Sequence, residues 1–98
     1  MKFRVEFAES AFEDLAWFRK HERILILDAI EAKLQFQPMM ETRNQKNLRE
    51  NVLSRWELRV GNFRVFYYVN ESTSIVDITA VGYKEHGKLF IRGREVQI

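Results

Sequence analysis

Trp56-Glu57-Leu58-Arg59-Val60-Gly61-Asn62-Phe63-Arg64-Val65-Phe66-Tyr67-Tyr68-Val69 is the stretch on which the reading of this chain turns. Apolar and charged residues alternate up to a central Gly61-Asn62 pair, and β-branched or aromatic residues flank it on both sides, the pattern of a β-hairpin. With the first strand read as Leu53 to Val60, Trp56, Leu58 and Val60 share one face while Arg55, Glu57 and Arg59 share the other. Across the turn Arg64 brings a second guanidinium to the hairpin end, beside Phe63, Val65, Phe66 and Tyr67. Two readings of the charged face are open. The arginines are solvated or paired with carboxylates such as Glu57, or they meet a phosphate-bearing partner, which the planar guanidinium fork suits.

A chain of 98 residues, 46% hydrophobic and 31% charged, is expected to form one domain over residues 1–98 and to bury a core without covalent support. Cysteine is absent, so there is no disulfide framework, thiolate zinc site or cysteine nucleophile, and a reducing compartment is the natural expectation. Two unclustered histidines predict no protein-built metal site, and no cofactor is expected. The net charge of +2 is unevenly spread. Glu6, Glu9, Glu13, Asp14, Glu22, Asp28 and Glu31 fall in the first third, whereas the chain from Arg43 onward is rich in arginine and lysine and should face an acidic partner. The opening residues alternate and lack the apolar core of a signal peptide, and Ile24-Leu25-Ile26-Leu27 is closed by Asp28. The expectation is a cytoplasmic protein without a membrane span.

In chain order, Phe3, Val5 and Phe7 alternate with charged residues as a strand. Ser10 and Glu13 match a capping box that opens a helix running to about Lys20, with Phe12 and Leu15 inward and Glu13 and Asp14 in solvent. A second helix is read from Glu22 to Gln37 through Ile26, Ile30 and Leu34, stopped by Pro38, with His21 a solvated residue at the junction. Residues 39–51 lose periodicity and read as a polar loop anchored by Leu48, in which Lys46 and Arg49 are candidates for RNA backbone contacts. After the hairpin, residues 75–81 read as a strand buried on both faces, residues 82–87 as a connection bracketed by Gly82 and Gly87, and residues 88–91 as a final strand, with Lys88 a further RNA-binding candidate. The fold class is therefore α+β, strand-helix-helix-strand-strand-strand, with a two-helix hairpin packed on a four- to five-stranded antiparallel sheet.

This order, together with the Trp56 to Tyr67 block, the preceding Glu41 to Leu48 segment and Val81-Gly82-Tyr83-Lys84, resembles the RelE/ParE superfamily of toxins of type II toxin–antitoxin systems over nearly the whole chain. The resemblance implies a cognate antitoxin partner in a hetero-oligomer. It also implies one of two targets: ribosome-bound mRNA, cut without a metal in the RelE-like branch, or DNA gyrase, inhibited in the ParE-like branch. A third outcome is a catalytically weak antitoxin-binding module. By position, Arg64 matches an arginine that contacts the phosphate, Arg59 a basic position on the strand before it and Lys84 a third basic residue, while His86 and Glu57, at no matching position, are the candidates for proton transfer. Two positions depart from the RelE pattern: Glu57 stands where it has a lysine, and Phe90 where it has a catalytic tyrosine.

Overall fold

The computed structural model describes residues 2–49, 51 and 53–97. Its centre is the hairpin of β3 (Trp56–Val60) and β4 (Phe63–Asn70), in which Leu58 faces Val65 and Arg59 faces Arg64. Gly61, at φ +58°, takes the left-handed first position of the turn, the glycine placement of a type II′ hairpin. The first strand starts at Trp56 rather than Leu53. The Asn51 Oδ1 accepts from the N–H groups of Leu53 (2.7 Å) and Ser54 (3.0 Å), an Asx-type turn that bends the chain just before it.

Around this pair the sheet is assembled in the order β2 (Gln45–Asn47), β3, β4, β5 (Ile75–Glu85), β6 (Lys88–Ile91), β7 (Arg94–Val96), with β1 (Arg4–Phe7) joined to β5. Two helices on a largely antiparallel sheet is the architecture the sequence predicts. The sheet is wider, at seven strands instead of four or five. The additions, β2 and β7, are three residues each, too short for periodicity to register, and β2 lies inside the segment read as loop. β1 runs parallel to Ile75–Ile78, a pairing open to it because both helices intervene in the chain before the sheet resumes. β5 runs on through Gly82 to Glu85, so the residues read as a connection are strand, and the turn is His86-Gly87, both with positive φ as a type I′ turn requires.

The helices α1 (Glu9–Trp17) and α2 (Lys20–Leu34) meet at Phe18-Arg19 and cover one face of the sheet. Ala11, Leu15, Phe18, Ile26, Ile30 and Leu34 pack there against Trp56, Leu58, Val65, Tyr67, Val76, Ile78 and Val81. Both helix ends differ from expectation. α1 is capped by Ala8 without a side-chain bond, since the Ser10 hydroxyl donates to the Thr79 carbonyl instead (3.3 Å). At α2 the Glu22 carboxylate accepts the Arg19 N–H (3.0 Å), and His21 lies exposed in the first turn. The inward stripe of α1 is Ala11, Asp14, Leu15 and Phe18; Phe12, expected in the core, sits one position round and is 66% exposed, while Asp14, expected in solvent, is buried.

The burial of Asp14 has a cause in the sheet. β4 occupies one edge of β5, so β1 and β6 share the other, and between them the stretch 79–81 has no strand beside it on that edge. A bulge at Thr79, where the register passes from Phe66↔Ala80 to Tyr67↔Ile78, lies in this gap. α1 closes it. Ala8 N–H bonds to the Ile78 carbonyl (2.9 Å), Ser10 to Thr79, and the Val81 N–H donates to Asp14 Oδ2 (3.1 Å). Arg92 brings its Nε to 2.9 Å from Asp14 Oδ1, which offsets part of the burial that raises the Asp14 carboxyl above its usual range. No helix among the described residues is long and apolar enough to cross a membrane.

Candidate phosphate-binding face

The sheet face turned away from the helices carries the basic residues. Strand alternation and register set them in two rows: Lys46, Glu57, Phe66 and Ala80 lie side by side across β2 to β5, and Arg59, Arg64 and Gly82 form the next row toward the hairpin end. Lys84 follows along β5 on the same face, opposite Leu89, its backbone N–H bonded to the Asn62 carbonyl in the hairpin turn (2.8 Å). The structure thus brings Arg59, Arg64, Lys84, Glu57 and Lys46 onto one surface. Beside them Phe66, Ala80 and Leu89 form a second apolar cluster, covered by Leu48, Leu53, Ile91 and Val96. Leu48 is the loop anchor the sequence predicts.

Glu57 is only 3% exposed, although its place on the charged face predicts solvent. Its Oε1 accepts from Arg59 Nε at 2.9 Å, so the carboxylate holds one edge of the Arg59 guanidinium. Arg59 is also tied through its backbone N–H to the Asn44 carbonyl (2.7 Å), which anchors the 39–51 segment to β3. Arg64 Nη1 donates to the carbonyls of Gly61 (2.8 Å) and Phe63 (2.9 Å), while its Nε is buried with no hydrogen-bond partner. Desolvation lowers the Arg64 pKa, with Glu57 opposing that shift and Arg59 adding to it. Two guanidinium groups at directly paired strand positions repel each other, and among the described residues Glu57 is the carboxylate that balances them. An incoming phosphate would relieve that imbalance.

The other candidates stand apart. His86 occupies the β5–β6 turn with its side chain 89% exposed and Glu85 at 3.9 Å as its ionic neighbour. It lies four residues along β5 from Gly82, the register partner of Arg64, or roughly 13 Å at strand rise. Arg49 is exposed beyond β2, and Lys88, also exposed, lies 3.9 Å from Glu95. Gly82, read from the sequence as the start of a connection, is a packing position: a Cβ there would come within 2.3 Å of the Phe90 carbonyl and 3.0 Å of the Ile91 side chain, so only glycine lets β6 close beside the Arg64 row. Among the described residues no group of three His, Asp or Glu side chains is disposed to hold a metal ion.

No family model matches the sequence, and no curated protein matches it either. Solved structures do match. A chain of the toxin–antitoxin complex RelBE2 from Mycobacterium tuberculosis superposes with a TM-score of 0.74 at 21% identity, covering 86% of this chain and 100% of that one. A chain of the archaeal RelE–RelB complex from Pyrococcus horikoshii gives 0.70 at 20% identity, covering 88% and 99%. The intact E. coli RelBE toxin–antitoxin complex gives 0.53 at 16% identity, covering 86% and 99%. The fold is that of the RelE structures. On this RelE fold Phe90 faces the helix side, opposite Tyr83, and its ring stacks on the Tyr83 ring at 5.4 Å, which stacks in turn on Trp17 at 5.6 Å. The aromatic ring at that position is therefore a packing element of the RelE fold here, turned away from Arg59 and Arg64.

Proposed function

We propose that this chain is the toxin of a toxin–antitoxin pair and that it acts on RNA in the translating ribosome, with Arg59, Arg64 and Lys84 holding the phosphate that is cut. The observation that carries the reading is the pairing of Arg59 with Arg64 in register on an open sheet face of the RelE fold, each oriented by a fixed protein oxygen. In the proposed reaction the RNA 2′-oxygen bonds to the adjacent phosphorus and the bond to the 5′-oxygen breaks, leaving a cyclic phosphate and a 5′-hydroxyl. One proton leaves the 2′-hydroxyl and one reaches the 5′-oxygen. Charge gathers on the phosphoryl oxygens in between, where preorganised cations lower the barrier most. Lys46, Arg49 and Lys88 would follow the RNA backbone to either side.

Proton transfer is the thinly equipped half of the chemistry. Glu57 is the carboxylate nearest the phosphate site, but its first partner is Arg59, so its part is to orient that guanidinium and to receive the 2′-proton when the phosphate draws Arg59 forward. His86 is proposed as the acid only for RNA that reaches round the β5–β6 turn. With phenylalanine at position 90, slow cleavage or binding without cleavage is the specific alternative within this reading. An acidic, amphipathic antitoxin segment would neutralise the same basic face, and a cytoplasmic site of action follows from a ribosomal target.

A ParE-like action on gyrase is the second reading, since a basic sheet face also suits that branch of the resemblance. Inducing the chain in cells separates the two. The RNA reading predicts arrested translation and mRNA cut within codons while plasmid supercoiling holds; supercoiling changes with intact mRNA would replace it with the gyrase reading.

A further inference from the structure

We propose that two copies of this chain associate through the outward stripe of α2, packed antiparallel about a twofold axis between Ile24 and Leu27. α2 is apolar on two sides. Ile26, Ile30 and Leu34 are buried against the sheet, yet Ile24 and Leu27 are 48% and 40% exposed on a different side of the same helix. A surface helix that needed only one apolar face would carry polar residues there.

The spacing and the charges name the partner. Lys20, Ile24, Leu27 and Glu31 follow one another by four, three and four residues, a single stripe along the helix with a cation at its start, an anion at its end and two aliphatic side chains between. Such a stripe is complementary to itself when reversed. In the antiparallel arrangement Ile24 of each copy meets Leu27 of the other, and each Lys20 faces a Glu31, whereas a parallel arrangement would set Lys20 against Lys20 and Glu31 against Glu31. All four residues are exposed, and neither Lys20 nor Glu31 has an ion-pair partner among the described residues. The stripe lies on the helix layer, so pairing leaves the Arg59–Arg64 face free, and the proposal stands or falls independently of the RNA reading.

A single helix pair buries less than the roughly 800 Å² per partner of a standard interface, so the dimer is weak, with a Kd of about 10–100 μM. Sedimentation equilibrium of the full chain across that range, at low salt, tests it. The wild type should shift from monomer to dimer, and Ile24→Ser with Leu27→Ser should remain monomeric. Lys20→Glu should weaken association about tenfold, because it exchanges two attractive end pairs for two repulsive ones. Lys20→Glu combined with Glu31→Lys should restore it. Thermal melts would check that each variant is folded. A wild type monomeric throughout, or a double charge exchange that associates no better than Lys20→Glu alone, overturns the proposal.

Discussion

At the scale of single residues, Arg64 shows how a half-buried strand position can be preorganised for the phosphate contact proposed above. Its Nη1 is committed to two backbone carbonyls at the turn, which fixes the guanidinium plane before any ligand arrives, and with Nε buried it is Nη2 that a phosphate would meet first. A lysine cannot both satisfy those carbonyls and present a second donor in the same plane. Arg64→Lys should therefore keep the fold but recover less than a tenth of wild-type cleavage, measured as single-turnover rate with matched thermal melts. Tyr67 makes a contrasting case, since its buried hydroxyl serves structure alone: it donates to the Pro38 carbonyl at 2.6 Å, and burial pushes its pKa up to about 12. The folded state holds this proton more tightly than the unfolded chain does. The resulting stability is complete below about pH 10, the unfolded value, and is lost as pH rises through about 12. Urea titrations between pH 8 and 11 should show wild-type stability falling at the alkaline end, and Tyr67→Phe should show a flatter profile together with a loss of about 1 kcal/mol at neutral pH.

At the scale of elements, the gap beside residues 79–81 explains most of what local sequence conceals. Asp14 stands beside Glu13 in a charged helix start and reads as solvated. What buries it is a Val81 N–H left unpaired 67 residues later by the way β1 and β6 divide one edge of β5. The same gap takes the Ser10 hydroxyl away from the helix start, so a sound capping pattern produces no cap. Asp14→Ala should strand that N–H and cost about 1–3 kcal/mol, while Asp14→Asn, which keeps an acceptor oxygen, should cost less than half of that in denaturant titrations. Gly82 is the companion case. It reads as a turn signal, but its role is to let β5 and β6 approach, and Gly82→Ala should part them at a cost of about 1–3 kcal/mol, visible as a lowered thermal midpoint.

At the scale of the whole molecule, the features legible in the sequence are those written in periodicity: the hairpin and its turn, the Ile26-Ile30-Leu34 stripe, and the alternation that puts Arg59 and Arg64 on one face. The features that were not legible either span too few residues for periodicity, as with the three-residue strands β2 and β7, or are set by packing between elements, as with the exposure of Phe12 and the burial of Glu57 between Lys46 and Phe66 on the neighbouring strands. For the candidate site this means that its cations could be read from residue type and spacing, whereas the separation of His86 from them, set by where β5 ends, could not. The proposed function is that this basic face of a RelE fold cuts RNA on the ribosome by clamping a phosphate. Its most direct test is single-turnover cleavage of ribosome-bound mRNA by wild type and Arg64→Ala. The account predicts cleavage by the wild type at a rate reduced about 100- to 1,000-fold in the variant, with both proteins folded. Equal rates in the two, or intact mRNA with both, would contradict it.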